Sequence, residues 1–241
     1  MFHGRKGRAD YQPSKPVNAD EKYPKLALPI IAVGMLKCRE NAKELRFDSE
    51  LLAKAGRYSS AYMLAHTVCE ELAKFFVLDL AGKRIAQNIP PVWKRFWQRI
   101  RSHDSKIAHL SIQLLKLQVE DNCLTPDLVA AAEELFKLDL LPRNASLYVD
   151  IGPDGQFRKP SDFNFDVPLP ILLGIATHGL HAADRFGATV AELQAHLQQP
   201  ATELERDSAL RVMEIVVGRM RDAGLSKDEV LEMMQKHEKG R

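Results

Sequence analysis

The 241-residue sequence has few cysteines, few aromatic residues and no long hydrophobic run, and each shortage excludes something. Cys38, Cys69 and Cys123 are odd in number, far apart and without a Cys-x-x-Cys pair, so neither a disulfide framework nor a zinc ribbon fits. They read as buried free thiols. The longest apolar stretch, Leu26 to Met35, is interrupted by Pro29 and Gly34 and falls short of the roughly 20 residues needed to span a bilayer. No membrane association is expected. The N-terminal charges precede no apolar h-region, so the chain reads as cytoplasmic and free of a signal peptide. Glycine-rich phosphate loops, dinucleotide fingerprints, nucleophile elbows and His-Glu-x-x-His pairs are also missing. No cofactor is expected.

What is present is 45% apolar content, enough for a buried core, arranged mostly at helical spacing. Residues 1–24 mix Gly, Pro and charge and read as a mobile basic arm. Leu26 to Lys54 is helical. After the corner at Gly56-Arg57, Tyr58, Tyr62, Ala65, Cys69, Leu72, Phe76 and Leu80 mark a very apolar helix suited to the centre of a bundle, with Gly82 as its stop. His66, Glu70 and Lys74 form its polar edge, with Glu70 and Lys74 as an i, i+4 pair. Pro90-Pro91 opens a third helix that runs to about Val119, and Thr125-Pro126-Asp127 starts another that ends at Pro142. A Gly-Pro-Asp-Gly turn between β-prone runs predicts a small hairpin near residues 147–158. Helices return from about Leu169 to Phe186 and from Thr189. Capping boxes at Thr202-Glu205 and Ser226-Glu229, separated by Gly224, predict a helical hairpin over 201–241. The fold class is all-α.

Charge is balanced overall at +2 but not locally: between Lys83 and Lys106 seven Lys or Arg residues face one acid, Asp104. On a continuous helix, Arg95, Arg99, His103 and Lys106 lie at i, i+4, i+8 and i+11, beside an apolar face that includes Phe96, Ile100 and Leu110. His103 therefore sits where an imidazole meets a row of fixed cations, a setting suited to phosphodiesters. His109 projects elsewhere and reads as surface. His178, His181 and Asp184 share one helical face, but two histidines and an acid without a second cluster do not make a metal shell.

Gly56 to Ala65, Cys69-Glu70-Glu71-Leu72-Ala73-Lys74, the Arg-Ser-His-Asp-Ser-Lys core of Phe96 to Lys106, and Arg143 with Leu147-Tyr148-Val149-Asp150 follow one another in this order. Together they resemble the AbiV family of abortive-infection proteins, in the HEPN superfamily of helical bundles, over about residues 28–185. The resemblance implies a HEPN-like domain over 25–200 with a small β-hairpin insertion, and an antiphage protein that acts on RNA or translation as a homodimer.

In the wider group, two Arg-x(4–6)-His motifs meet across a dimer and cleave RNA without metal, leaving a cyclic phosphate. This chain departs from that spacing. Arg99 and His103 enclose three residues, Arg101 and His109 enclose seven, and the position five before His109 is Asp104. Two readings follow. One is a metal-independent endoribonuclease with His103 as acid/base and Arg99 and Lys106 in the catalytic group. In it Arg95, Arg101, Arg143 and Tyr148 contact RNA (tRNA, mRNA or ribosomal RNA), and Glu70 orients His103 or Arg99. The other is a non-catalytic protein of the same fold that binds a phage, antitoxin or ribosomal partner.

Overall fold

The computed structural model describes residues 23–102, 104–121, 146–151 and 154–222. The predicted arm up to residue 22, the helix from Thr125 to Pro142, Cys123, His103, Arg143, Gly224 and the Ser226 capping box lie outside the described residues. Within them the protein is helical apart from one two-stranded hairpin, as the all-α expectation requires.

Helices α1 (Leu28–Lys54) and α2 (Tyr58–Ala86) form an antiparallel hairpin, the most extensive helix pairing in the fold. Their corner is short because Gly56 takes φ +72°, which lets the amide of Arg57 reach Leu52 O at 2.8 Å and that of Gly56 reach Ala53 O at 3.0 Å. Asp48-Ser49 does not divide α1. Instead the Ser49 hydroxyl, fully buried, donates to Ala61 O at 2.7 Å and ties the two helices together.

α2 is the centre of the bundle. Tyr62, Ala65, Val68, Cys69, Leu72, Phe75 and Phe76 are buried, and the helix touches every other long helix of the core. Gly82 does not stop it. The helix runs on to Ala86 and ends where Asn88, at φ 59°, allows Ile89 N–H to bond Arg84 O at 2.9 Å. Gly82 is there for closeness: a Cβ at that position would lie 2.7 Å from a methyl of Leu197.

Pro90-Pro91 lead into α3 (Trp93–Arg101), and α4 (Asp104–Glu120) follows. The predicted single helix from 93 to 119 is therefore two. Ser102 adopts extended backbone (ψ 129°), while its N–H still closes the last turn onto Gln98 O at 2.9 Å. Ser is a weak helix former and a common terminator, and the break lets α3 and α4 each pack separately on α2.

The predicted hairpin is present as β1 (Asp150–Ile151) and β2 (Phe157–Arg158), paired antiparallel with Asp150 opposite Arg158. Next come α5 (Pro168–Asp184), α6 (Val190–Gln198) and α7 (Glu203–Asp222). Thr189–Glu192 and Thr202–Glu205 are reciprocal capping boxes at the starts of α6 and α7. α7 packs on α4 through Val212 against Leu115 and Val119, and Glu205 reaches Lys83 of α2 at 2.7 Å. No helix among the described residues is long and apolar enough to cross a membrane.

Candidate nucleic-acid interface

α3 is only nine residues long, and its two sides differ sharply. Phe96 is buried in the main core and so seats the helix on the bundle, and within the helix it meets Trp93 and Trp97 edge-on, with ring centroids 5.4 and 5.1 Å apart. Trp97 Nε1–H also donates to Pro24 O at 2.9 Å. Lys94, Arg99 and Arg101 are exposed and Arg95 is half-buried. Arg101 lies over the Trp97 ring, 5.7 Å from its centroid.

Between α2 and α3 lies a groove of about 310 Å³. Its apolar surface comes from Val77, Leu80 and Ala81 on one side and Pro91, Val92 and Phe96 on the other, and Arg84, Arg95 and Arg99 supply its charge. No acid lines it. Arg84 Nε donates to Ile89 O at 3.4 Å, so the turn that ends α2 also positions this guanidinium. Among the described residues none of the three is paired with a carboxylate. Three such guanidiniums facing one apolar slot form a ready anion site.

The residues that the sequence places on one stripe are distributed differently. Arg95 and Arg99 share the groove, and Arg101 stands on Trp97. Lys106 does not join them: it is 3% exposed and its Nζ lies 3.1 Å from Glu70 Oε2. The helix break resets the angular frame after Ser102 and turns Lys106 into the seam between α2 and α4. Glu70 holds Lys106 rather than Arg99, and its other oxygen, Oε1, lies 3.3 Å from His66 Nδ1 without the alignment of a hydrogen bond. The expected Glu70–Lys74 pair is replaced by Lys74–Glu71 at 2.6 Å. His66 and Glu70, read as a polar edge, are buried. Tyr148 is 63% exposed just ahead of β1.

His109 is not a surface residue. Its Nε2 is buried without a hydrogen-bond partner, and the imidazole is pushed down to about pKa 4 by burial and then by the Arg99 charge, against the opposing pull of Asp79. Asp79 in turn lies 2.8 Å from His196 Nε2, and His196 stacks on Phe186 at 4.2 Å. Arg99 and His109 stand ten residues apart, a separation that no helical stripe pairs, so the influence of the Arg99 charge on His109 is not read from spacing. Arg84 is likewise outside the stripe of a linear projection, because it belongs to another helix.

His178 and His181 are exposed, while Asp184 is engaged by Lys43 at 2.7 Å. Among the described residues no three His, Cys, Asp or Glu side chains are grouped as a metal site would require. Cys69 is buried and Cys38 half-buried. Burial pushes both thiols up to about 12.

The sequence profile of the HEPN AbiV family, described as AbiV, matches residues 30–180. The chain belongs to the AbiV family. The match spans α1 to most of α5 and so contains the groove, the Glu70–Lys106 pair and His109, while α6 and α7 follow it. The all-α bundle agrees with the HEPN fold of this abortive-infection family. No curated protein and no solved structure matches the chain.

Proposed function

We propose that this AbiV-family protein binds RNA across the basic side of α3 and cleaves it as a metal-independent endoribonuclease, working as a homodimer. The observation that carries the reading is the set of Arg84, Arg95 and Arg99, which face one groove and have no carboxylate partner among the described residues. Fixed guanidiniums neutralise phosphates, and an Arg beside a scissile phosphate stabilises the charge that develops on it. His103 is the proposed acid/base, with Arg99 holding the phosphate and Arg101, Arg143 and Tyr148 extending the contact. Lys106 and Glu70 then act by positioning α4 rather than by touching RNA.

A second reading, RNA or protein binding without cleavage, is favoured by one observation: Lys106, expected beside His103 on the exposed stripe, is committed to Glu70 in the interior. The test is incubation of the purified protein with total RNA and with tRNA in EDTA, comparing wild type with His103→Ala and Arg99→Ala. Cyclic-phosphate ends made by wild type and by neither variant support the nuclease. Intact RNA whose binding weakens with Arg99→Ala supports the binding reading.

A further inference from the structure

We infer that the cavity where the ends of α4 and α6 meet the start of α7 is a binding site for an aliphatic diamine or polyamine, a linear cation with methylene groups between its ammonium groups. This cavity shares no lining residue with the groove beside α3 and stands whether or not that groove takes RNA. Most of its lining comes from residues beyond the family match at 30–180.

The cavity holds about 260 Å³, and the cations around it already have carboxylate partners. Lys83 Nζ donates to Glu205 Oε1 at 2.7 Å, Arg185 donates to Asp121 Oδ2 at 2.6 Å, and His196 Nε2 lies 2.8 Å from Asp79 Oδ1. Burial pushes the Glu205 carboxyl up, but hydrogen bonds from Lys83 and from the Thr202 amide outweigh it and hold it at about 2, so this pair stays charged. An anion entering the cavity finds these cations engaged.

Glu120 differs from the other acids. Its side chain is only 11% exposed, and its buried Oε1 has no hydrogen-bond partner among the described residues, since Lys116 Nζ stands 3.3 Å away without the alignment of a bond. A buried carboxylate oxygen in that state is costly, and a donor cation from solvent satisfies it. The balance of charge points the same way. Among the described residues the lining carries Lys83 and Arg185 against the three carboxylates of Glu120, Asp121 and Glu205, and the C-terminal ends of α4 and α6 add the negative pole of their dipoles.

The walls select a linear amine over a metal ion. Among the described residues no three His, Cys, Asp or Glu side chains gather as a metal ion requires. The acids are instead spread over walls that also carry Leu117, Phe186, Pro200 and Leu204. An extended cation places one ammonium against Glu120 and its methylenes along the apolar wall, as a lysine stem does, with the second ammonium toward the open rim where Asp121 is exposed.

The experiment is calorimetric titration of the full chain, freed of nucleic acid, with putrescine and with spermidine at physiological salt. Butanediol is the uncharged counterpart, magnesium the inorganic cation and inorganic phosphate the anion. Both amines are expected to bind and butanediol is not. Glu120→Gln, which keeps the shape and removes the charge, is expected to weaken the amines about tenfold or more, the loss of one charge-assisted hydrogen bond. Because Glu120 is buried, Leu204→Trp serves beside it: this position is 56% exposed, and the larger side chain crowds the cavity and is expected to weaken the amines without lowering the melting temperature.

Failure of wild type to bind either amine overturns the site, as does binding that both variants leave unchanged. Magnesium that displaces putrescine as effectively as spermidine does overturns the amine as ligand. Phosphate bound in preference to the amines overturns the sign of the site. None of these outcomes touches the RNA reading, which has its own test.

Discussion

Lys106 Nζ sits 3.1 Å from Glu70 Oε2, with the two side chains only 4% and 5% exposed, so an ion pair closes the seam between α2 and α4 in the interior. A buried pair of this kind contributes little net stability relative to apolar residues, but removing the lysine takes away the ammonium that offsets the buried Glu70 carboxylate. Lys106→Met is therefore expected to cost about 3–5 kcal/mol in denaturant unfolding. The double variant Lys106→Met, Glu70→Leu should recover most of that loss. A double variant no more stable than the single one would show that the pair is not what holds the seam.

His109 predicts a pH dependence. In the folded chain its pKa is near 4, against about 6.5 for the free side chain, so between those values the unfolded chain binds more protons. Its contribution is complete above pH 6.5, is lost as pH falls, and is exhausted below about 4. The groups facing it act in opposite directions, Arg99 disfavouring the imidazolium and Asp79 favouring it. Unfolding free energies measured from pH 7 to 4 should fall by an amount on the order of 2–3 kcal/mol in wild type. His109→Gln should flatten this part of the curve. An unchanged slope in the variant would assign the acid sensitivity to other groups.

The centre of the fold was legible in the sequence, and the site only partly so. Tyr62, Ala65, Cys69, Leu72 and Phe76 recur at helical spacing and are buried because α2 is surrounded, so periodicity alone located it. The hairpin turn and the Thr189 and Thr202 caps are local devices and could be read locally. Lys106 could not, since its partner Glu70 lies on another helix and the break at Ser102 saves no apolar period. The influence of the Arg99 charge on His109 crosses the same break. Gly82 looked like a helix stop because its real reason, the methyls of Leu197, lies on α6.

That contact gives the next prediction. Ala at position 82 would ordinarily strengthen a helix by up to about 1 kcal/mol. Here its Cβ would come within 2.7 and 2.8 Å of the two Leu197 methyls, and Leu197 is itself fully buried. Overpacking of this kind costs about 1–3 kcal/mol, so Gly82→Ala is expected to lower the melting temperature despite its better propensity. In the Leu197→Ala background the same change should be neutral or stabilising. Equal effects in both backgrounds would remove the close approach as the reason for glycine.

Arg39 carries the last prediction. Only 3% exposed, it projects from α1 to the end of α5, where it donates to Ala183 O at 3.2 Å, to Ala188 O at 3.1 Å and to Gly187 O, with Asp184 Oδ1 3.6 Å from its Nε. These carbonyls lie in and just past the last turn of a helix, where backbone amides become scarce, Ala183 O taking only Phe186 N–H at 3.3 Å, and the dipole favours a cation. Charge alone would be met by lysine, but geometry would not: a single ammonium cannot serve carbonyls spread along a turn as a guanidinium fork does. Bonds to a charged donor contribute about 1.5–3 kcal/mol each. Arg39→Ala is therefore expected to be among the most damaging single changes in the chain, and Arg39→Lys to restore less than half of the loss in unfolding free energy. Recovery to within about 0.5 kcal/mol of wild type, the scatter of ordinary surface substitutions, would mean that the charge at the helix end suffices and that the fork does not matter.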